Sequence, residues 1–171
     1  MSRSADRQRT YHWEDPERLH DAVSERSGLE LLTAIVDGTL SLPPINATLG
    51  MNVSAVESGR VTISLIAEEW HYNQTGTVHG SVPAALLDSA MGSAIHTRLP
   101  VGHSYATIDL SVRYVRPANQ LSGELQCEGE VVSLGRRVAT AQGRIVDSRG
   151  KIIATGTTSC LVFDKDAKPA G

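Results

Sequence analysis

The segment 71–92 constrains the fold of this chain more than any other. Residues 71–80 are polar, with two His and two Gly, whereas residues 82–95 are small and apolar with a single acid, Asp88. Small side chains let a helix lie very close to a covering sheet, and such packing would compensate for Gly92, which costs roughly 1 kcal/mol of helix propensity relative to Ala. The segment therefore predicts a polar loop followed by a buried helix that extends to about residue 98.

The rest of the chain is dominated by patterns typical of β-strands. Runs such as Val61, Ile63 and Leu65 alternate with polar residues, as in a strand with one buried face. Gly, Pro, Asn and Ser clusters separate the runs. The predicted strands are 48–56, 60–67, 107–114, 124–134, 136–147 and 151–163. In the third of them, the alternation places Ile108 and Leu110 on one face and Thr107 on the other. Two strands, one long helix and four strands indicate an α+β domain, in which the helix packs on an antiparallel sheet of about six strands.

The residues before the first strand are predicted to form a separate, partly helical extension. Apolar residues recur every three or four positions over 29–36, which predicts an amphipathic helix. A second, short helix is expected at 15–22, with Pro16 in its first turn. The two prolines within 42–45 predict a rigid extended connector.

Composition narrows the classes of function. The 171 residues carry a formal net charge of −3 without a basic tract, which argues against a nucleic-acid partner. No apolar run approaches the roughly 18 residues that a membrane helix needs, and the first ten residues are not followed by the apolar core of a signal peptide. Cys127 and Cys160 are too few for a disulfide scaffold, so free thiols and a cytoplasmic location are expected.

Asp88 is the most informative single residue, because an isolated buried carboxylate is costly. One interpretation places it on the exposed side of the helix, or bonds it to a nearby hydroxyl such as that of Ser89. The other makes it a carboxylate held in a cleft as a nucleophile or general base. Spacing alone leaves both interpretations open.

Three residues that precede the helix could bind or orient a carbonyl group. The N–H of Gly80 would be an unpaired donor at the positive end of the helix dipole, where an oxyanion is stabilised, although Gly80 could equally serve only the turn. Asn73 could orient a carbonyl or a water, or it could form an Asx-turn. His79 could be a base or could simply anchor the loop.

Gly80 and Asp88 are eight positions apart, which corresponds to about 12 Å of helix rise. One ester or thioester carbonyl cannot easily contact both residues within a single chain. Two copies related by a two-fold axis would bring Gly80 of one chain near Asp88 of the other. The spacing therefore predicts either separate tasks for the two residues or an obligate dimer with two composite sites.

Other catalytic motifs are absent from the sequence. Ser81 and Ser89 do not lie in a G-x-S-x-G motif, so a serine-hydrolase triad is not expected. His79, His96 and His103 lack the spacing of metal ligands, and no Gly-rich phosphate loop is present. We therefore expect neither a metal nor a cofactor.

The motif H-x-N-x-x-G-x-x-H-G-x-x-x-x-x-x-x-D, which begins at His71 and ends at Asp88, resembles that of the hotdog-fold acyl-CoA thioesterases of the PaaI-like, phenylacetate-degradation type. The likeness continues through 107–110, 114–118, 135–137 and 147–150. It implies a hotdog domain at 45–163, in which a curved antiparallel sheet wraps a long central helix. Residues 1–44 would be an N-terminal helical extension, and residues 164–171 a flexible tail.

The resemblance implies a role for each matching residue. Asp88 would be the catalytic carboxylate, as nucleophile or as base for water, and the Gly80 amide would polarise the thioester. Asn73 would orient the water or the carbonyl, His79 would flank the oxyanion site, and the Thr107 hydroxyl would assist the water. The family shares its sites across a homodimer, and its dimers usually pair into a homotetramer.

The phosphates of coenzyme A, which is part of the substrate, also need a site. Arg116 and the Gly135-Arg136-Arg137 turn are candidates, because the guanidinium fork suits phosphate geometry. The alternative for these arginines is a solvated hairpin tip.

One position departs from the family motif, since Ser81 stands where a second Gly is common. Serine suits a helix start, so the fold is expected to survive while the fit near the thioester could change. The leading interpretation is a thioesterase that hydrolyses a small or medium acyl- or aryl-CoA. The alternative is a non-catalytic acyl-CoA-binding hotdog protein, and a hydratase ranks last. The acyl group itself is left open.

Overall fold

The computed structural model describes residues 6–164. In chain order, this range contains helices α1 to α4 and strands β1 to β6, with short 3-10 helices at Glu69–His71 and Gln120–Ser122. The elements are α1 (Glu17–Glu25), α2 (Gly28–Val36), α3 (Pro44–Leu49), β1 (Met51–Glu57), β2 (Arg60–Ile66), α4 (Ser81–His96), β3 (His103–Tyr114), β4 (Glu124–Leu134), β5 (Val138–Val146) and β6 (Ile152–Asp164). Residues 165–171, which make up most of the predicted flexible tail, lie outside the described residues.

The strands form one antiparallel sheet in the order β1-β2-β4-β5-β6-β3, so β1 and β3 are its edges. Helix α4 contacts all six strands, and its side chains Leu86, Leu87, Met91 and Ile95 are fully buried between helix and sheet. The packing is very close, because a Cβ added at Gly129 would lie only 2.5 Å from the backbone carbonyl of Ala90. The predicted α+β hotdog architecture, with a central helix wrapped by six antiparallel strands, is confirmed.

The N-terminal helices are present, with one correction. Helix α2 is capped by Ser27 and Glu30, whose side chains each accept a hydrogen bond from the other residue's backbone N–H. Residues 44–49 form the short helix α3, so the extended connector predicted at 42–45 and the strand predicted from residue 48 are wrong there. Pro44 is tolerated because it occupies the first helical position, where its missing N–H is not needed.

Strand β3 also differs from its prediction, in a way that shapes the candidate site. Its register with β6 shifts between Thr107 and Asp109, which makes Ile108 the extra residue of a β-bulge. Thr107 consequently faces α4, and Leu110 returns to the same face beyond the bulge. Ile108 is 59% exposed, so the prediction that it shares a face with Leu110 is wrong.

Candidate active site

The loop before α4 is held mainly by its own hydrogen bonds. The side-chain oxygen of Asn73 accepts from the N–H and the hydroxyl of Thr75 at 2.9 and 2.7 Å, and its amide nitrogen donates to the Thr77 hydroxyl at 3.1 Å. The backbone N–H of His79 donates to the carbonyl of His71 at 2.8 Å, which closes the loop. Asn73 thus forms the Asx-turn considered above, with one amide hydrogen left over. Its role in orienting a substrate or water stays a prediction.

His71, the first residue of the motif, is buried and connects the loop to the end of α3. Its Nδ1 accepts from the N–H of Glu68 at 3.1 Å, and its Nε2 lies 2.9 Å from the carbonyl oxygen of Leu49. The indole N–H of Trp70 also lies 3.1 Å from Nε2, so the ring links the segment 68–70 to the end of α3. Burial lowers the pKa of His71, so a neutral, structural imidazole is favoured.

Gly80 is the residue from which α4 starts. Its carbonyl accepts a hydrogen bond from the Tyr114 hydroxyl at 2.8 Å, and a Cβ at this position would lie 3.3 Å from the tyrosine ring. Within residues 6–164 its N–H has no hydrogen-bond acceptor. A cleft of about 350 Å³ adjoins it, with mainly apolar walls that include Val78, Pro83 and Val115. A free donor at the positive end of a helix, beside an apolar cleft, is suited to a carbonyl oxygen that gains negative charge.

His79 and Ser81 form a local pair around the helix start. Nδ1 of His79 accepts from the backbone N–H of Ser81 at 3.1 Å and lies 2.8 Å from its hydroxyl oxygen. The N–H fixes Nδ1 as an acceptor, so the hydroxyl also donates to it and the neutral ring carries its proton on Nε2. Ser81 therefore orients His79, a role that the comparison of motifs did not suggest.

Asp88 lies in the middle of α4 and is paired across the helix–sheet boundary. The Thr107 hydroxyl donates to its Oδ1 at 2.8 Å, and the same hydroxyl lies 3.9 Å from the thiol of Cys160 on β6. Its second oxygen, Oδ2, accepts no hydrogen bond from the described residues. Asp88 is half-buried and not bonded to Ser89. One carboxylate oxygen is thus positioned while the other is open to a reactant.

Tyr105 is a neighbour of this carboxylate that the sequence did not single out. Burial raises the pKa of the Tyr105 phenol, and the nearby Asp88 carboxylate raises it further. The tyrosine ring lies against Gly92, where a Cβ would be 2.6 Å from its hydroxyl oxygen. Asp88 and Gly92 lie one turn apart on the same face of α4, and Thr107 and Tyr105 lie two residues apart on the same face of β3. Once Thr107 is paired with Asp88, this spacing pairs Tyr105 with Gly92, and it could have identified Tyr105 from the sequence.

The arginines proposed for coenzyme A are not brought together within one chain. Arg116 donates to the carbonyl of Ile152 at 3.0 Å, at the start of β6. The Gly135-Arg136-Arg137 turn is exposed and lies near Leu161, at the other end of that strand. Nine strand positions separate Ile152 from Leu161, or about 30 Å. A single phosphate group cannot contact both arginine sites of one chain.

Two further observations bear on the class of function. Among residues 6–164 there is no group of three or more His, Cys, Asp or Glu side chains that could hold a metal ion. In the same part of the chain, no helix is both long and apolar enough to cross a membrane.

This architecture is that of the hotdog-fold hydrolases, and sequence relationships agree. Residues 75–154, from the loop before α4 into β6, match the model of the thioesterase superfamily. A Halobacterium salinarum protein, provisionally named an esterase, is 34% identical over 129 residues, which is 69% of this chain and 83% of that protein. The chain belongs to the thioesterase superfamily and is a thioester hydrolase.

Two other proteins are similar over shorter or more distant alignments. Mouse acyl-coenzyme A thioesterase 13 is 30% identical over 90 residues, which is 52% of this chain and 63% of that enzyme. The crystal structure of a phenylacetic acid degradation-related protein from Ralstonia eutropha JMP134 superposes with a TM-score of 0.69 at 27% identity, covering 75% of this chain and 97% of that one. The resemblance to PaaI-like thioesterases is confirmed.

Proposed function

We propose that this protein hydrolyses a small or medium acyl- or aryl-coenzyme A to the free acid and coenzyme A. The observation that carries the proposal is the Asp88 carboxylate, which is held at one oxygen by Thr107 and open at the other. The mouse relative is named for hydrolysis of an acyl-coenzyme A, which supports the substrate class.

The chemistry can follow either of two routes, both centred on Asp88. As a general base, Asp88 takes a proton from water while the water oxygen bonds to the thioester carbon; the C–S bond then breaks, and the proton passes to the departing thiolate. As a nucleophile, its open oxygen attacks the thioester carbon, which forms a mixed anhydride and expels the thiolate. Water then hydrolyses the anhydride to the free acid and regenerates the Asp88 carboxylate. In both routes the Gly80 N–H, and beside it the Nε2–H of His79, would stabilise the oxyanion.

The complete site is proposed to form across a homodimer joined along β3. This edge strand is twelve residues long and largely exposed, and an unpaired edge is a template for a second strand. Antiparallel pairing with a second copy would place the Gly80–Tyr114 end of one chain beside the start of β3 in the other, on the side of that copy's Thr107 and Asp88. It would also bring the 135–137 turn of one copy toward Arg116 of the other. Pairing of dimers into a homotetramer is a further part of the proposal.

Release of free thiol from a panel of acyl- and aryl-CoAs tests the function. We expect turnover by the native protein and a loss of roughly 10²–10⁴-fold in Asp88→Asn, which keeps the side-chain size but lacks the carboxylate. Asp21→Asn on α1, whose side chain is 79% exposed, is the matched control and should retain activity. Circular dichroism should show all three proteins folded.

Two outcomes would contradict the proposal. Tight acyl-CoA binding without thiol release would favour the non-catalytic alternative. Full turnover by Asp88→Asn would remove Asp88 from the reaction.

A further inference from the structure

We infer that Tyr105 forms the inner wall of the acyl site and restricts the substrate to short acyl groups. This inference rests on the proposed thioesterase function of the Asp88 site. It names a substrate class that the family relationship leaves open.

One face of α4 looks toward β3 and presents Asp88, Gly92 and His96 at four-residue spacing. Thr107 bonds to the first of these three residues, and Tyr105 covers the other two. The centroids of the Tyr105 and His96 rings are 5.5 Å apart. The space directly beyond the carboxylate, along the helix, is therefore occupied by one aromatic side chain.

Gly92 explains how the ring comes so close. A Cβ at this position would lie 2.6 Å from both the hydroxyl oxygen and Cε2 of Tyr105, so any larger residue would displace the ring. Burial raises the pKa of the Tyr105 phenol, and this effect is larger than the opposite effect of its hydrogen bond with Ser93. The phenol therefore stays neutral. Tyr105 is half-buried as a whole residue, and the acyl group is proposed to meet the part of its side chain that faces Asp88.

The distance along α4 from the carboxylate to the ring follows from helix geometry. Asp88 and Gly92 are separated by about 6 Å of helix rise. An attacked carbonyl carbon must lie about 3–3.5 Å from the reacting oxygen. An acyl tail that continues along α4 would therefore meet the Tyr105 ring after a few carbon atoms. On this path a short aliphatic acyl group would end before the ring, whereas a longer chain would collide with it.

A chain-length series from acetyl- to decanoyl-CoA tests the inference, with kcat/KM measured for each substrate. The native protein should favour the short acyl groups. Tyr105→Ala should raise the ratio of kcat/KM for long over short chains by roughly tenfold or more, since each accommodated methylene is worth about that much. Tyr105→Phe should keep the native profile, because the ring remains. Tyr11→Ala, which lies before α1 in the N-terminal extension, is the matched control and should also keep the native chain-length profile.

Tyr105→Leu, which fills part of the same space, serves if the alanine variant does not fold, and it should shift the profile in the same direction. An unchanged chain-length profile in a folded Tyr105→Ala or Tyr105→Leu protein would overturn the role of Tyr105 while leaving the thioesterase function intact. No hydrolysis of any acyl-CoA by the native protein would instead reject the proposed function, and the inference with it.

Discussion

The start and the middle of α4 carry the two parts of the candidate site, and they are held in different ways. At the start, the side chains of the loop are held locally, since Asn73 bonds to Thr75 and Thr77, and His79 bonds to Ser81. One bond from β3, donated by Tyr114 to the carbonyl of Gly80, is added to them. In the middle, Asp88 is held by Thr107, nineteen positions away on an edge strand.

The loop that presents the Gly80 amide and the Asp88 carboxylate are thus supported by different sets of contacts. A locally bonded loop can present the Gly80 amide whether or not a second chain is present. The Asp88 side depends on β3, the strand that the proposed dimer would use as its interface. If the sites are composite, damage to either part should be repairable by a second chain that carries the other part.

The largest expected effect is complementation between two inactive variants. Gly80→Val would place a branched side chain against Tyr114, which already lies 3.3 Å from the position of a Cβ. This variant and Asp88→Asn should each lose roughly 10²-fold or more of the activity when expressed alone. Co-expressed with different tags, they form mixed dimers in which one of the two sites is intact, so the thiol-release rate should return to about a quarter of the native rate.

One control and one contradicting outcome complete this experiment. Purification through both tags should enrich the mixed dimer and raise its specific activity to about half of the native value. If each site lies within a single chain, the mixture stays as inactive as its components, and the composite arrangement is rejected.

The next effect concerns the Asp88 side alone. Thr107→Val keeps the shape of the side chain but removes the hydroxyl that donates to Asp88 at 2.8 Å. Loss of a hydrogen bond to a charged group costs about 1.5–3 kcal/mol, so kcat should fall by roughly tenfold or more. Steady-state kinetics with one acyl-CoA would measure it, and Thr107→Ser should recover most of the rate. A fully active Thr107→Val protein would exclude Thr107 from the site.

The same contrast explains what could be predicted from the sequence. The α4 helix, the Asx-turn alternative at Asn73 and strand β4 depend on local spacing, and each agrees with the structure. The family motif adds roles for Asp88 and Gly80 because their separation is fixed by one helix. Local pattern was therefore sufficient to predict the conformation of the loop and the helix, whereas the roles of Asp88 and Gly80 stay predictions.

Features that depend on tertiary contacts were missed. The bulge at Ile108 exists only in the pairing of β3 with β6, and the strict alternation of residues 107–114 conceals it. The contact of Tyr105 with Gly92 requires the strand to lie across the helix at a particular height. Helix α3 was missed because two prolines suggested an extended segment, although Pro44 is compatible with a first helical turn.

The smallest expected effect lies at the helix start, where Ser81→Gly restores the residue common in the family. The substitution removes the hydroxyl that bonds to Nδ1 of His79 but leaves the backbone N–H in place. His79 should keep its Nε2–H form with a less fixed ring, so kcat should fall only about threefold, near the lower end for one hydrogen bond. Nitrogen NMR of the imidazole would follow the tautomer directly, and His79→Gln is the matched variant for kinetics. If Ser81 orients His79, Ser81→Gly should have almost no effect in the His79→Gln background. An equal loss in both backgrounds would show that Ser81 acts on the start of α4 rather than through His79.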